Sequence, residues 1–136
     1  MEHGFIKVKA VTPTVAVASV ETNAQNIICE IEKANGESVS LLVFPQLCLT
    51  GYTAGDLIAS EQMKSAVNDA LNLIVNATKN VTSLVFVGAP VYALGKIFNC
   101  AIAINKGKIL AVIPKTYLCD ELGKNESRIF APPITE

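Results

Sequence analysis

Two polar side chains in this sequence come directly after an apolar run that ends in proline. Gln46 follows the run 40–45, and Lys115 follows the run 108–114. Polar groups just beyond the end of a buried strand are where the sites of α/β proteins collect. A lysine held there can stabilise an anion or transfer a proton. The alternatives are a plain strand-to-loop exit at Gln46 and a solvated surface lysine at Lys115.

A third unusual segment, 126–130, holds the carboxylate of Glu126 and the guanidinium of Arg128 two residues apart. Its ordinary interpretation is a charge pair on the surface. Each segment alone has an ordinary explanation, and only the three together indicate a functional site. Such a site requires that the fold bring the three segments to one place.

The scarcity of histidine excludes several common kinds of active site. The single histidine, His3, stands at a terminus that we expect to be frayed, which argues against a Ser-His-Asp triad, a Cys-His dyad or a histidine-rich metal site. The four cysteines, Cys29, Cys48, Cys100 and Cys119, include no C-x-x-C pair, so neither a zinc knuckle nor a thioredoxin motif is predicted. We expect no metal and no cofactor in this chain, and buried, reduced thiols.

Length and composition indicate one folded domain. The chain has 136 residues, of which 51% are hydrophobic and 17% charged, which is enough for a core without disulfides. The net charge is −1 and there is no basic stripe, so nucleic-acid binding is not predicted. The N-terminus lacks the layout of a signal peptide, and the charge-free stretch 38–55 is interrupted by Pro45 and Gln46. We therefore expect a cytoplasmic protein that does not enter a membrane.

The first half of the chain predicts a strand, a helix and a second strand. Alternating residues predict a strand at 5–11. Thr22 and Gln25 predict a capping box at the start of a helix that Gly36 ends. The continuous apolar run 40–44 is typical of a strand buried on both faces. The helical stripe consists of Ala24, Ile27, Ile28, Ile31 and Ala34.

The second half predicts a helix over 61–78 and a buried strand over 84–87 that Gly88–Pro90 closes. Two apolar strands around Lys106–Gly107 predict a hairpin. The polar tail 124–136 predicts an extended arm. Strands that alternate with helices and then end in a hairpin imply an α/β fold with a mixed sheet.

Three segments together resemble one family. They are FPQLCLTGYT at 44–53, LVFVGAPV at 84–91 and FNCAIAINKGKILAVIPKTYL at 98–118. The chain is similar, over nearly its whole length, to the glutaminase domain of glutamine-dependent NAD synthetases, a branch of the nitrilase-like carbon–nitrogen hydrolase superfamily. The resemblance implies an incomplete α-β-β-α sandwich. It also implies that residues 1–136 are part of the glutaminase domain and that the synthetase domain is absent.

The resemblance also implies roles for four residues. In that family a glutamate, a lysine and a cysteine hydrolyse glutamine, and the ammonia passes to an ATP-dependent synthetase domain that amidates deamido-NAD. The base glutamate falls on Gln46 and the lysine on Lys115, while Tyr52 is implied to bind substrate and Glu126 to be a further catalytic residue. ATP and Mg²⁺ then belong to the absent domain, and the implied partners are glutamine and the remainder of the synthetase.

Two departures from the family pattern predict that this chain alone is inactive. Gln46 replaces the base glutamate, and an amide has no proton acceptor near pH 7. None of the four cysteines stands in the family's nucleophile motif, and Cys48 is interpreted as packing. The segment 119–125 also lacks the proline and aromatic residues that the family has after KTYL. We expect no ammonia release from glutamine, either by the chain as written or by a Gln46→Glu variant.

Two other interpretations stay open. In the first, the chain is a catalytically dead nitrilase-like module kept for assembly or small-molecule binding. In the second, it is a relative that acts on another amide. The LCLTGYT and KTYL segments argue against the second of these. We also expect a homo-oligomer, because part of a two-sheet sandwich leaves apolar faces and sheet edges uncovered.

Overall fold

A mixed five-stranded sheet packs against two helices in the computed structural model, which describes residues 4–133. In chain order the elements are β1 (Val8–Ala10), α1 (Val20–Gly36), β2 (Leu41–Val43), a 3₁₀ helix (Tyr52–Ala59), α2 (Glu61–Ala77), β3 (Leu84–Ala93), β4 (Lys96–Asn105), β5 (Lys108–Pro114) and a second 3₁₀ helix (Glu126–Arg128). The sheet order is β1-β2-β3-β4-β5, with parallel pairing from β1 to β3 and antiparallel pairing from β3 to β5. The predicted α/β fold with a mixed sheet is confirmed.

Helix α1 packs through the predicted apolar stripe but begins earlier than the sequence suggests. It starts after Ser19, so Thr22 and Gln25 lie inside its first turns and the predicted capping box is wrong. The Ser19 hydroxyl instead donates to the Thr22 hydroxyl across 2.9 Å, and the Asn23 amide ties the helix to the Ala16 backbone with two bonds of 2.8 Å. The buried residues are Val20, Asn23, Ala24, Ile27, Ile31 and Ala34.

The prediction of a helix over 61–78 is confirmed to within one residue, since α2 ends at Ala77. The Ser60 hydroxyl caps it by accepting a hydrogen bond of 3.2 Å from the Met63 backbone N–H. Its buried residues recur at helical spacing, so one face of the helix packs on the core. These residues are Met63, Val67, Ala70 and Ile74.

The C-terminal three strands form a meander with two tight turns. Lys106 and Gly107, at φ 46° and 74°, form the predicted turn between β4 and β5. Strand β3 is longer than predicted, because its pairing with β4 continues past Gly88 and through Pro90. Proline removes only its own N–H from the ladder, so the residues on either side keep the strand intact.

The face of the sheet opposite the helices is uncovered in residues 4–133. Along β2, Leu42 is fully buried in the core, whereas Val43 is 40% exposed. The prediction that this strand is buried on both faces is therefore wrong, since a second layer is missing from the described part of the chain. This second face is termed the open face; the register across the sheet places on it Ala10, Val43, Phe86, Ala101 and Ile113.

The polar segment near the C-terminus folds back on the sheet. Glu126 and Phe130 are buried, and the Ala131 N–H donates to the Ile97 carbonyl across 2.8 Å. The predicted extended arm is therefore wrong over 124–133, because buried contacts hold this segment. The rest of the tail, 134–136, and His3 lie outside the described residues.

Two smaller predictions also need correction. The strand at 5–11 shortens to β1, which pairs only with the equally short β2. Of the four thiols only Cys48 and Cys100 are buried, whereas Cys29 is exposed on the outer side of α1 and Cys119 is half-buried. None of the described helices has the length and apolar character needed to cross a membrane.

Candidate active site

Gln46 and Lys115 meet at one edge of the sheet. Gln46 lies just beyond β2, and Lys115 directly follows β5. Two antiparallel steps separate β3 from β5, so β5 runs in the same direction as β2 and their carboxyl ends share an edge. The Lys115 Nζ donates to the Gln46 Oε1 across 3.3 Å. The fold therefore brings these two side chains into direct contact.

Close backbone packing fixes the position of Gln46. A Cβ built on Gly88 would lie 2.6 Å from the Leu47 backbone nitrogen and 2.9 Å from the Gln46 Cα. The Leu49 N–H also donates to the Gly88 carbonyl across 3.2 Å. The loop that carries Gln46 can lie this close to β3 only because residue 88 has no side chain.

Five hydrogen bonds converge on the carboxylate of Glu126, whose side chain is only 4% exposed. The Lys115 Nζ donates to both oxygens, at 2.9 and 2.8 Å. The Tyr52 hydroxyl donates at 2.9 Å, the Gln46 Nε2 at 3.2 Å and the Cys119 backbone N–H at 2.8 Å. The structure therefore brings all four predicted site residues, Gln46, Tyr52, Lys115 and Glu126, into one hydrogen-bonded cluster.

These donors keep Glu126 ionised. Burial alone would raise the pKa of its carboxyl, but the hydrogen bonds from Lys115, Cys119, Tyr52 and Gln46 outweigh burial and lower the pKa to about 2. An oxygen pair that accepts this many bonds is not available as a base at neutral pH. Glu126 is thus suited to hold Lys115 in place and not to take a proton itself.

Arg128 takes no part in this cluster. Its guanidinium pairs with Asp56 across 2.7 Å, and both side chains are exposed. The alternative of a surface charge pair between Glu126 and Arg128 is therefore wrong, because the two side chains point to different partners.

Tyr52 is a permanent donor to the cluster. Partial burial of the phenol and its bond to Glu126 raise the pKa of Tyr52 to about 12. The Lys124 ammonium lies 5.9 Å from the centre of its ring. At neutral pH the hydroxyl keeps its proton, so Tyr52 orients the carboxylate and does not act as a base.

A cavity of about 570 Å³ adjoins the cluster on the open face. Its walls are mainly apolar, and its polar residues are Gln46, Asn99 and Lys115. A volume of this size is in the range that small ligands occupy in proteins. The cluster therefore borders a space that can hold a small molecule.

The buried thiols are chemically quiet. Burial raises the pKa of Cys48 to about 11, and its Sγ donates to the Gly88 carbonyl at 3.5 Å. Burial likewise raises the pKa of Cys100 to about 11. A thiol in this state is not a nucleophile at neutral pH, which agrees with the interpretation of Cys48 as packing. Among residues 4–133 no group of three or more His, Cys, Asp or Glu side chains is placed to hold a metal ion.

Sequence reasoning missed two contributors to this region. The Cys119 backbone N–H binds Glu126, and nothing in the sequence indicates such a contact. Asn99 lines the cavity from the middle of β4. The sequence could have indicated Asn99, because a polar residue inside an apolar strand is costly to bury unless it has a hydrogen-bond partner.

Comparison with known proteins identifies the family. The carbon-nitrogen hydrolase family model matches residues 7–133. The glutamine-dependent NAD(+) synthetase of Mycobacterium tuberculosis is 32% identical over 131 residues, which cover 96% of this chain and 19% of the relative. The synthetase of Aquifex aeolicus is 29% identical over 114 residues, which cover 84% of this chain and 20% of the relative.

Solved structures agree with this assignment. A glutamine-dependent NAD(+) synthetase from Cytophaga hutchinsonii superposes with a TM-score of 0.87 at 25% identity, covering 93% of this chain and 22% of the other. An amidase from Nesterenkonia sp. superposes with a TM-score of 0.82 at 18% identity, covering 96% of this chain and 49% of the amidase, and it shows the fold alone. The protein thus has the nitrilase-type fold and spans about a fifth of the length of the curated relatives. It belongs to the carbon–nitrogen hydrolase family and is similar to the N-terminal part of glutamine-dependent NAD synthetases.

Proposed function

We propose that this chain is the N-terminal part of the glutaminase domain of an NAD synthetase, the domain that supplies ammonia for the amidation of deamido-NAD. In this proposal residues 1–136 are a partial domain, and the synthetase domain, with its ATP and Mg²⁺, is a separate part of the protein. The observation that carries the proposal is the cluster of Gln46, Lys115 and Glu126 beside a cavity.

Each residue of the cluster has a distinct role in this proposal. Residue 46 is the position of the general base that would activate a nucleophile. Lys115 stabilises the oxyanion that forms when the carboxamide is attacked. Glu126 positions Lys115, and Tyr52 contributes to substrate binding beside it. We place the nucleophile in chain outside these 136 residues, because none of the four cysteines stands in the family's nucleophile motif.

With glutamine at position 46 the site lacks its base. The Gln46 amide donates to Glu126 and accepts from Lys115, so it joins the two charged groups without being able to take a proton. We therefore propose that the chain as written does not hydrolyse glutamine.

A second candidate function follows from the same contacts. Gln46 satisfies both neighbours, which suits a catalytically dead module that serves assembly or binds a small molecule. We also propose a cytoplasmic location, because the buried free thiols of Cys48 and Cys100 suit a reducing compartment.

A chimera tests the first proposal. This chain replaces the matching N-terminal segment of the M. tuberculosis relative, with residue 46 as Gln or Glu, and NAD formation is measured with glutamine or with ammonium chloride. Ammonium-dependent activity serves as the folding control. We expect the Gln46 chimera to use ammonium only. We expect Gln46→Glu to restore use of glutamine by roughly 10²–10⁴-fold, the usual contribution of a general base.

A third chimera, which carries Gln46→Glu and Lys115→Met, should use ammonium but not glutamine. Glutamine use by the Gln46 chimera would favour a different base. An ammonium-active Gln46→Glu chimera that still ignores glutamine would favour the dead module.

A further inference from the structure

A second apolar core is distinct from the main core between the sheet and the helices. It consists of four side chains that are each at most 5% exposed, namely Leu47, Ala54, Ile58 and Phe130. Partly buried apolar side chains pack around these four, including Tyr92 and Ile97 on either side of the turn between β3 and β4, and Leu118 after β5. The second core therefore packs loop segments against the end of the β3–β4 hairpin.

Each side chain of the hydrogen-bonded cluster stands within four residues of an apolar side chain that packs in or against the second core. The pairs are Gln46 with Leu47, Tyr52 with Ala54, Lys115 with Leu118, and Glu126 with Phe130. Segments from both halves of the chain thus meet twice, once through hydrogen bonds and once through apolar packing. Because protein interiors are close-packed and transmit small changes in volume, lost packing in the second core should displace the polar groups beside it.

Phe130 is tied to Glu126 through the backbone. The Phe130 N–H donates to the Glu126 carbonyl across 2.8 Å, which closes the backbone turn between the two residues. The Ala131 N–H donates to the Ile97 carbonyl, also at 2.8 Å. Since Phe130 itself is only 5% exposed, the burial of its ring and these two hydrogen bonds together fix the turn that carries Glu126.

Leu47 shows that tertiary packing determines the backbone beside the cluster. Its φ of 52° lies in the left-handed region, which disfavours residues other than glycine. The side chain is nevertheless fully buried in the second core. The Gly51 N–H donates to the Leu47 carbonyl across 2.8 Å and helps to hold this conformation. The surrounding packing therefore imposes the backbone geometry that directly follows Gln46.

We propose that Phe130 is a positioning residue, which holds the Glu126 carboxylate against Lys115 and Tyr52 by filling the second core. It acts through Glu126 and not by touching a ligand. As a statement about the geometry of the cluster, the inference does not depend on the proposed function. As a statement about the reaction it rests on the proposed function, because a displaced Glu126 would leave Lys115 less well placed to stabilise an oxyanion.

The test compares the same substitution in the two cores of the 136-residue chain, Phe130→Leu in the second core and Phe98→Leu in the main core. Both phenylalanines are buried, at 5% and 8% exposure, so both variants should melt at a lower temperature than the parent. Only Phe130→Leu should also disturb Glu126. A merely structural phenylalanine at position 130 would change the melting temperature alone.

Two NMR signals report the position of Glu126. The pKa of its carboxyl, about 2 in the parent, is followed through the side-chain ¹³C signal. Phe130→Leu should raise this pKa by about one unit, the effect of losing one hydrogen bond to a charged group. At pH 7 the Cys119 amide proton, which is donated to Glu126 across 2.8 Å between the heavy atoms, should move upfield as that bond lengthens. Phe98→Leu should leave both signals unchanged.

Ile58→Val is a milder second variant, because it removes one methyl group from the second core at a residue far from Glu126 in the sequence. It should move both signals in the same direction by a smaller amount, and it carries the test if Phe130→Leu does not fold. The inference is overturned if the second-core variant melts lower while both signals stay unchanged, or if Phe98→Leu moves them equally.

Phe130→Leu in the Gln46→Glu chimera tests the consequence for the reaction, with ammonium-dependent activity again as the folding control. Glutamine-dependent kcat should fall by about tenfold and KM should change less, since a displaced oxyanion donor weakens only the transition state. Signals that move in the 136-residue chain, together with a Gln46→Glu chimera that does not use glutamine, would refute the proposed function alone. Unmoved signals together with a glutamine-active chimera would refute this inference alone.

Discussion

At the scale of single residues, catalysis and stability favour different side chains at position 46. Its Nε2 lies 3.2 Å from a carboxylate oxygen of Glu126 and donates to it. A glutamate at the same place would bring a second carboxylate against the first, with the Lys115 ammonium in contact with both. The amide thus removes a base and also removes a repulsion.

Gln46→Glu should therefore destabilise the chain at pH 7, by about 1–2 kcal/mol, because like charges meet in a partly buried site. The loss should shrink as the pH falls below 5 and one carboxyl takes up a proton. Urea unfolding at several pH values measures this. Gln46→Met, which removes the hydrogen bonds without adding charge, is the control and should show no such recovery at low pH.

Glu126 predicts a second pH dependence. Its pKa is lowered from the usual 4.5 to about 2 in the folded chain, so its contribution is complete above pH 4.5 and disappears as the pH falls towards 2. At pH 7 the contribution of this carboxylate is up to about 3 kcal/mol. Glu126→Gln should cost most at pH 7 and progressively less between pH 5 and pH 2.

Unfolding of the parent and of Glu126→Gln in urea at pH 7, 5 and 3 measures that difference. Glu37→Gln is the control, because Glu37 pairs with Lys9 at the surface at 3.0 Å and exposed pairs contribute little. A constant difference between the parent and Glu126→Gln over this range would show that these donors do not lower the pKa of Glu126.

At the scale of elements, the contact between β3 and the loop after β2 decides whether the cluster forms. Gly88→Ala places a Cβ within 2.6 Å of the Leu47 nitrogen, where only backbone can move. We expect a loss of about 1–3 kcal/mol, typical of overpacking, and a displaced Gln46.

The two effects of Gly88→Ala are measured by urea unfolding and by the side-chain amide signal of Gln46. Gly36→Ala is the control, since a Cβ there meets no atom within 4 Å. Its stability should equal or exceed that of the parent. If Gly88→Ala were equally harmless, the loop would not depend on this close approach.

At the scale of the whole molecule, the open face is the feature that governs association between copies of the chain. It presents apolar side chains, among them Val43 and Ile113, which are 40% and 49% exposed. Apolar surface of this kind is normally covered by a partner or by further chain. With a net charge of −1, little repulsion opposes contact between copies.

We therefore expect the isolated chain to self-associate in a concentration-dependent way. Light scattering and sedimentation measure this. Val43→Glu should reduce association, because it places a charge on the open face. Leu73→Glu, at a residue 49% exposed on α2, is the control and should leave association unchanged. A parent chain that stays monomeric at high concentration would refute the prediction.

Local patterns in the sequence are enough to determine several elements. Helix α2 follows from apolar residues at helical spacing, and the β4–β5 hairpin follows from Lys106–Gly107 between two apolar strands. Three sequence segments also predicted the family, and the resemblance to that family implied the four residues of the cluster. Such features are readable because they depend on residues within a few positions of one another.

Only the tertiary structure decided what depends on distant contacts. Gln46 and Glu126 are 80 positions apart, and their contact arises from the order of the strands and from the folding back of a polar tail that by itself predicts an extended arm. The tertiary structure likewise decided that Val43 is 40% exposed on the open face. It also decided that, among the described residues, the buried Asn99 Nδ2 has no hydrogen-bond partner. Burial depends on how all the neighbouring elements pack. Whether a polar side chain is exposed, hydrogen-bonded or buried without a partner is therefore decided only by the tertiary structure.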